Sequence, residues 1–258
     1  MLIDPHAHLL PALGSLALSF EEALALANAA SRQGVTHVVS AVPYHGEQAV
    51  NRSQVELRVK QFQEELARRG LTLEIFPAHE VWVDQQASQV FTPDNFLFTD
   101  LNQTYALVNV SQAKSANDLG AFFFTCFKRD IRPILIQAED QKELQADPTP
   151  LMEWLDAGAY VLLGAERVLA WKSEAGQLAH NLLRQGQVHL LGSAGTSSLD
   201  QAPTYHLQEA YHLVEERYGD SYAFDLRQNA KALVNGEPFV THFTIKKASF
   251  WSQFLKHI

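Results

Sequence analysis

The sequence predicts an α/β chain: a mostly parallel sheet with helices outside, curled into a (β/α)7-type barrel that is distorted or incomplete. Three observations lead there. Strand-like and helix-like segments alternate about seven times, the order that parallel βα units require. No Pro/Gly/Ser-rich linker, charge run, repeat or low-complexity stretch divides the chain. At 258 residues and 47% hydrophobic, the chain is long enough for one sizeable core, and α/β barrels of this length are commonly single domains. An open doubly wound sheet is the competing arrangement. In either case functional groups collect at the carboxyl ends of strands.

The elements follow in order. "LID" (2–4) is a short strand. "SFEEALALANAASRQG" has a serine cap, acids in its first turn and Gly34 as a stop, a complete helix signature. "VTHVVSAV" (35–42) is β-branched and reads as a buried strand. A polar helix spans 47–69, and "LTLEIFPAHEVWV" (71–83) is a strand carrying His79 and Glu80. "FLFTD" and "TYALVNV" read as two short strands, a helix covers 115–129, and Pro133 opens the strand in "IRPILIQAED". A helix at 149–157, the strand "AYVLLG", a helix at 166–185 and the strand "VHLLGSAG" complete the alternation. Helices occupy 203–218 and 221–234, and 238–258 is a less regular tail of one domain, 1–258.

Composition narrows the function. A net charge of −9 argues against nucleic acid or an anionic membrane as the main partner, because phosphate binding is driven by basic patches. The one cysteine, Cys126 in "AFFFTCF", forms no internal disulfide, suits a reducing compartment and reads as a buried small hydrophobe. No apolar run approaches the ~18–20 residues of a membrane span. The first residues lack the basic start of a secretory signal. The expected location is the cytoplasm.

Polar groups at the predicted strand ends are His6 and His8, then Tyr44 and His45, then His79 and Glu80. Later ends offer Gln137, Glu139 and Asp140, then Ser193, Thr196 and Ser197. Two imidazoles and a carboxylate (His6, His8, Glu80) suit Mn, Fe or Zn with positions left for water or substrate. His45 and His79 are the weaker candidates. His37, His180, His189, His206 and His212 read as structural or exposed, since nothing converges on them. No G-x-S-x-G elbow, phosphate loop or dinucleotide fingerprint is present, so nucleophilic-serine chemistry and nucleotide binding have no support.

"DPHAHLLP", "LEIFPAHE", "RPILIQAED", "WLDAGAY", "LLRQGQVHLLGS" and "LQEAYHLVEERYGD…LRQNAKALVNGE" resemble the bacterial manganese-dependent tyrosine phosphatases of capsule and exopolysaccharide loci. That family belongs to the polymerase-and-histidinol-phosphatase (PHP) superfamily, and the resemblance spans residue 1 to about 237. It implies a distorted PHP barrel, a trinuclear metal cluster that activates water, and an arginine that binds phosphate. Carried over by residue, His6, His8 and the bridging Glu80 match. Elsewhere the chain departs: Gly14 and Ser15 replace paired aspartates, and Tyr44 stands at a ligand histidine with His45 beside it. Gln137 replaces a second ligand histidine, Asp140 the phosphate-binding arginine, and Ala194 and Thr196 two further ligands.

One ion at most is therefore expected, Mn, Fe or Zn, with weak or no phosphatase activity. The alternatives are an active single-metal hydrolase using His6, His8 and Glu80, and an intact metal-dependent tyrosine phosphatase. The partners the resemblance implies are a tyrosine-kinase tail or a polysaccharide-export component, and further copies of the chain.

Overall fold

A computed structural model describes residues 1–14, 18–45, 49–83, 95–111, 113, 116–194 and 205–245. Seven parallel strands pair in chain order: β1 (Leu2–Ala7), β2 (Val35–Tyr44), β3 (Glu74–Trp82), β4 (Tyr105–Asn109), β5 (Arg132–Ile136), β6 (Tyr160–Gly164) and β7 (Leu190–Gly192). The helices are α1 (Phe20–Arg32), α2 (Arg52–Arg68), α3 (Ala116–Phe127), α4 (Lys142–Ala146), α5 (Thr149–Asp156), α6 (Ala165–Leu169), α7 (Glu174–Gln185), α8 (Leu207–Tyr218) and α9 (Asp220–Asn235). Reciprocal capping boxes, Ser19 with Glu22 and Asn51 with Gln54, start α1 and α2.

Alternation along the strands makes two cores. Ile3, Val39, Ala41, Ala78, Leu107, Ile134, Ile136, Leu162 and Leu190 fill the inside of the sheet. Their neighbours Val38, Val42, Val81, Val108, Leu135, Val161 and Leu163 face the helices. The sheet nearly closes. β7 forms no ladder with β1, but Ala194 N–H donates to the His6 carbonyl at 3.1 Å. The Ser193 backbone N–H also donates to Asp4 Oδ1, at 3.0 Å. The result is the seven-stranded PHP-type barrel the sequence predicts, rather than an open doubly wound sheet.

Two local expectations are corrected, and one element is added. "FLFTD" is no strand: Leu97 exchanges hydrogen bonds with the backbone and ring of His79 instead of joining a ladder, burying the run as a coil. The helix at 166–185 is two helices. Ser173 caps α7, and a Cβ at Gly176 would lie 2.1 Å from the Ala170 carbonyl oxygen, so the chain turns sharply between them. The short α4 has no counterpart in the sequence reading.

After α9 and Gly236 (φ 67°) the irregular segment 237–245 crosses the amino ends of the strands. Phe239 stacks on Tyr105 at 4.5 Å and meets Tyr160 at 4.7 Å, the first residues of β4 and β6 near the amino mouth. Val240 N–H donates to the Asn229 side chain at 2.7 Å, and Asn229 returns a bond to its carbonyl at 3.0 Å. This segment plugs one end of the barrel.

Phe243 covers His189, and burial holds that imidazole down at about 4. Its Nδ1 accepts the Val161 N–H at 3.2 Å, which requires the neutral ring. The unfolded chain therefore binds more protons than the fold between pH 6.5 and 4, and stability falls as pH drops through that window. About 2 kcal/mol is expected to be lost by pH 5. His189→Asn, which keeps an acceptor near Nδ1, should flatten the pH dependence of the urea midpoint by that amount. An unchanged slope would refute the assignment.

Candidate metal centre

At the carboxyl end of the barrel, three side chains converge. Inward-facing positions on β1 and the residue just after it bring His6 and His8 together, with ring centroids 5.0 Å apart. Glu80, inward on β3, places Oε2 2.7 Å from His6 Nε2 and 2.9 Å from His8 Nε2. All three are buried, and one candidate ligand atom from each lies within 4.8 Å of the others. A Cβ at Gly192 would lie 3.2 Å from His6 Cβ, so the glycine of β7 leaves room for that histidine.

Burial alone would raise the Glu80 carboxyl, but the charge of His8 and hydrogen bonds from both histidines outweigh it and hold it well below the ordinary carboxylate range. Burial opposes protonation of His8, yet Glu80 raises it above the usual imidazole value. The other Glu80 oxygen accepts from the Trp82 indole N–H and, at 3.4 Å, from Asn109 Nδ2.

The donors fit a divalent ion. Nε2, Nε2 and a carboxylate oxygen point at one place, while His6 Nδ1 and His8 Nδ1 are buried without a hydrogen-bond partner among the described residues. Both Nε2 atoms meet Glu80 Oε2 where an ion would replace the shared protons, each ring then carrying its proton on Nδ1, as metal-bound imidazoles commonly do. Under the barrel seam, Asp4 accepts from the backbone N–H groups of His6 (3.1 Å) and Ser193 (3.0 Å) and from the hydroxyls of Ser193 and Tyr205. Burial pushes its carboxyl up, and those donors only partly compensate.

The remaining candidates fall elsewhere. His79 is corrected: alternation turns it to the face of β3 opposite Glu80, where it packs against Tyr44 (4.9 Å) and Phe96 (5.4 Å). Tyr44 likewise faces the helix layer, so it fills no space at the centre. His45 is exposed beside Trp82, ring centroids 6.0 Å apart, outside the three-residue group. Gln137, in a left-handed turn (φ 59°), accepts from Asn109 Nδ2 at 2.9 Å. Asp140 pairs with Arg167 at 2.7 Å. Ala194 (φ 49°) is spent on the bond to His6, and Gly14 (φ 78°) lies in the turn after β1. Ser15, Thr196 and Ser197 lie outside the described residues.

Glu139, buried after β5, accepts the Gly164 N–H at 3.0 Å through one oxygen; its other oxygen has no partner among the described residues. Burial pushes this carboxyl up to about 7. Sequence reasoning missed Asn109 and Asp4. Asn109 ends the inward row of the strand expected in "TYALVNV", which is the available signal. Asp4 stands in the same "DPHAHLLP" run, but its partners Ser193 and Tyr205 lie 189 and 201 positions away and are invisible locally.

Known proteins resemble most of the chain. The tyrosine-protein phosphatase YwqE of Bacillus subtilis (strain 168) is 21% identical over 240 residues, covering 92% of each chain. A solved chain from work on YwqE of B. subtilis and CpsB of Streptococcus pneumoniae, described as unique metal-dependent tyrosine phosphatases, superposes with a TM-score of 0.82 and 20% identity. It covers 95% of this chain and 100% of that one. A D-hydantoinase from Thermus sp. shares the fold at a TM-score of 0.52 and 10% identity, over 90% of this chain and 70% of that one. Since the family model for capsular polysaccharide synthesis, CpsB/CapC, matches residues 2–235, the chain belongs to the CpsB/CapC family.

Proposed function

We propose that this CpsB/CapC member is a metal-binding phosphatase homologue of capsule or exopolysaccharide synthesis, acting in the cytoplasm, that holds one ion on His6, His8 and Glu80 and has weak or no phosphotyrosine phosphatase activity. A bound divalent ion supplies Lewis acidity and positive charge. The observation that carries the reading is the amide pair beside it. Asn109 ends the inner row of β4 and Gln137 sits in the left-handed turn just after β5; they bond one another and bring no charge where further cations would need anionic or imidazole donors. Asp140 adds negative charge to the same rim, and Arg167 is occupied in neutralising it. Charge stabilisation of a phosphoryl transition state is what this rim lacks. The relatives' activity suggests a tyrosine-kinase tail or an export component as the partner.

One observation favours a second reading, an active single-metal hydrolase. Glu139, held near 7 at the same end of the barrel, is suited to give or take a proton at neutral pH.

Metal per chain, measured by mass spectrometry after dialysis against Mn²⁺, Fe²⁺ or Zn²⁺, separates these readings when combined with aryl phosphate hydrolysis. The expected result is about one ion, lost in His6→Ala, with turnover at least ~10²-fold below that of a homologous phosphatase, the usual cost of one missing charge-stabilising group. Three ions with full turnover would sink the proposal. One ion with strong turnover that falls in Glu139→Gln would favour the hydrolase.

A further inference from the structure

Away from the metal centre, the corner where α6 meets α7 carries an unusual exposed group. Trp171 is 46% exposed. Lys172 Nζ lies 5.4 Å and Arg217 Cζ 5.5 Å from its ring centroid. Arg184, on the last turn of α7, lies near the Tyr218 hydroxyl, whose residue follows Arg217 on α8. The three cations are exposed.

Their charges are not balanced. Arg52, Arg68, Arg69, Arg167 and Arg227 each pair with a carboxylate. Among the described residues no carboxylate lies within 4 Å of Lys172, Arg184 or Arg217, although Glu166 and Glu174 are close in sequence and the chain has a net charge of −9. Lys172 and Arg217 flank one indole without a carboxylate partner, so an incoming anion meets uncompensated positive charge there.

The corner is also rigid. Ser173 Oγ donates to the Ala170 carbonyl at 2.8 Å and accepts the Gly176 N–H at 3.0 Å, and Gly176 leaves no space between α7 and the Trp171 backbone. His180 Nε2 meets the Val168 carbonyl at 2.8 Å, and Nδ1 of the same ring bonds Tyr218, tying α6, α7 and α8 together behind the patch. A fixed aromatic platform with flanking donors loses little entropy on binding.

We infer that Trp171, Lys172 and Arg217 form a docking surface for an acidic polypeptide segment. The ring covers an apolar or aromatic side chain, and the two cations meet its carboxylates. Arg167 stands one turn earlier on α6, and Gly164, where that helix begins, is within contact distance of Ala194 and Glu139. A segment bound at the corner therefore lies beside the carboxyl mouth of the barrel. The surface does not depend on the metal or on turnover.

Fluorescence anisotropy of a labelled glutamate- and tyrosine-rich peptide, titrated with the full chain at low and at physiological salt, tests the inference. Binding should weaken with salt. It should fall about tenfold or more in Trp171→Ala and in Lys172→Glu with Arg217→Glu, and Trp171→Phe should retain part of it. The matched reversal Lys60→Glu with Arg68→Glu on α2 should leave it unchanged. No binding, equal loss in the α2 reversal, or stronger binding of a labelled single-stranded DNA of the same charge would each overturn the proposal. So would self-association in sedimentation velocity abolished by the corner variants, which would assign the patch to a second copy.

Discussion

Replacing Phe239 with alanine is expected to lower the unfolding free energy by about 3–5 kcal/mol, the range for deleting a buried aromatic side chain. The ring is buried between Tyr105 and Tyr160, under the inner row begun by those strands. The loss also loosens the Val240–Asn229 exchange and the Tyr105 hydroxyl bond to the Glu237 carbonyl, which hold the plug in register. Urea unfolding followed by circular dichroism measures the effect. A loss under about 1 kcal/mol would mean that segment 237–245 merely rests on the barrel. The family match stops at residue 235, so the segment that seals the barrel follows the matched region.

A second large effect is expected at Asp4. Asp4→Ala removes the acceptor for two backbone N–H groups and two hydroxyls that are otherwise buried, which should cost about 3–5 kcal/mol through stranded donors. Asp4→Asn keeps an oxygen for the backbone groups and turns its amide toward the hydroxyls, so about 1–2 kcal/mol is expected. Thermal and urea unfolding of both variants checks the order. Equal losses would show that charge, rather than the count of satisfied donors, holds the seam. Because the His6 N–H is one of those donors, metal retention should fall in Asp4→Ala even where the chain remains folded.

Much of the fold was legible because its signals are local. Ser19, Gly34 and the β-branched run at 35–42 each declare an element within a few residues. The break between α6 and α7 was hidden because it depends on the contact of Gly176 with Ala170, not on a helix-breaking residue in the gap. "FLFTD" misled because its apolar side chains are buried by His79 and Tyr44 rather than by a ladder. At the site, spacing and strand ends were enough to bring His6, His8 and Glu80 together. The same rule, applied without asking which way each side chain turns, wrongly gathered His79. Asn109 was missed because an amide attracts no attention until its partners are known.

The seam between β7 and β1 also sets how the chain reaches this shape. Every ladder joins consecutive strands, with partners such as Ile134 and Tyr160 or His37 and Glu74 a few tens of residues apart. Asp4 and Ser193 are separated by 189 positions. The contact order of the sheet is thus modest everywhere except along one line, where the full loop-closure entropy is met once. Strands can add one after another from either end, and ring closure is left to a single cluster of buried side chains. Substitutions at that cluster should act chiefly on the slowest step of folding if it is ring closure, and substitutions inside the ladders on the faster ones.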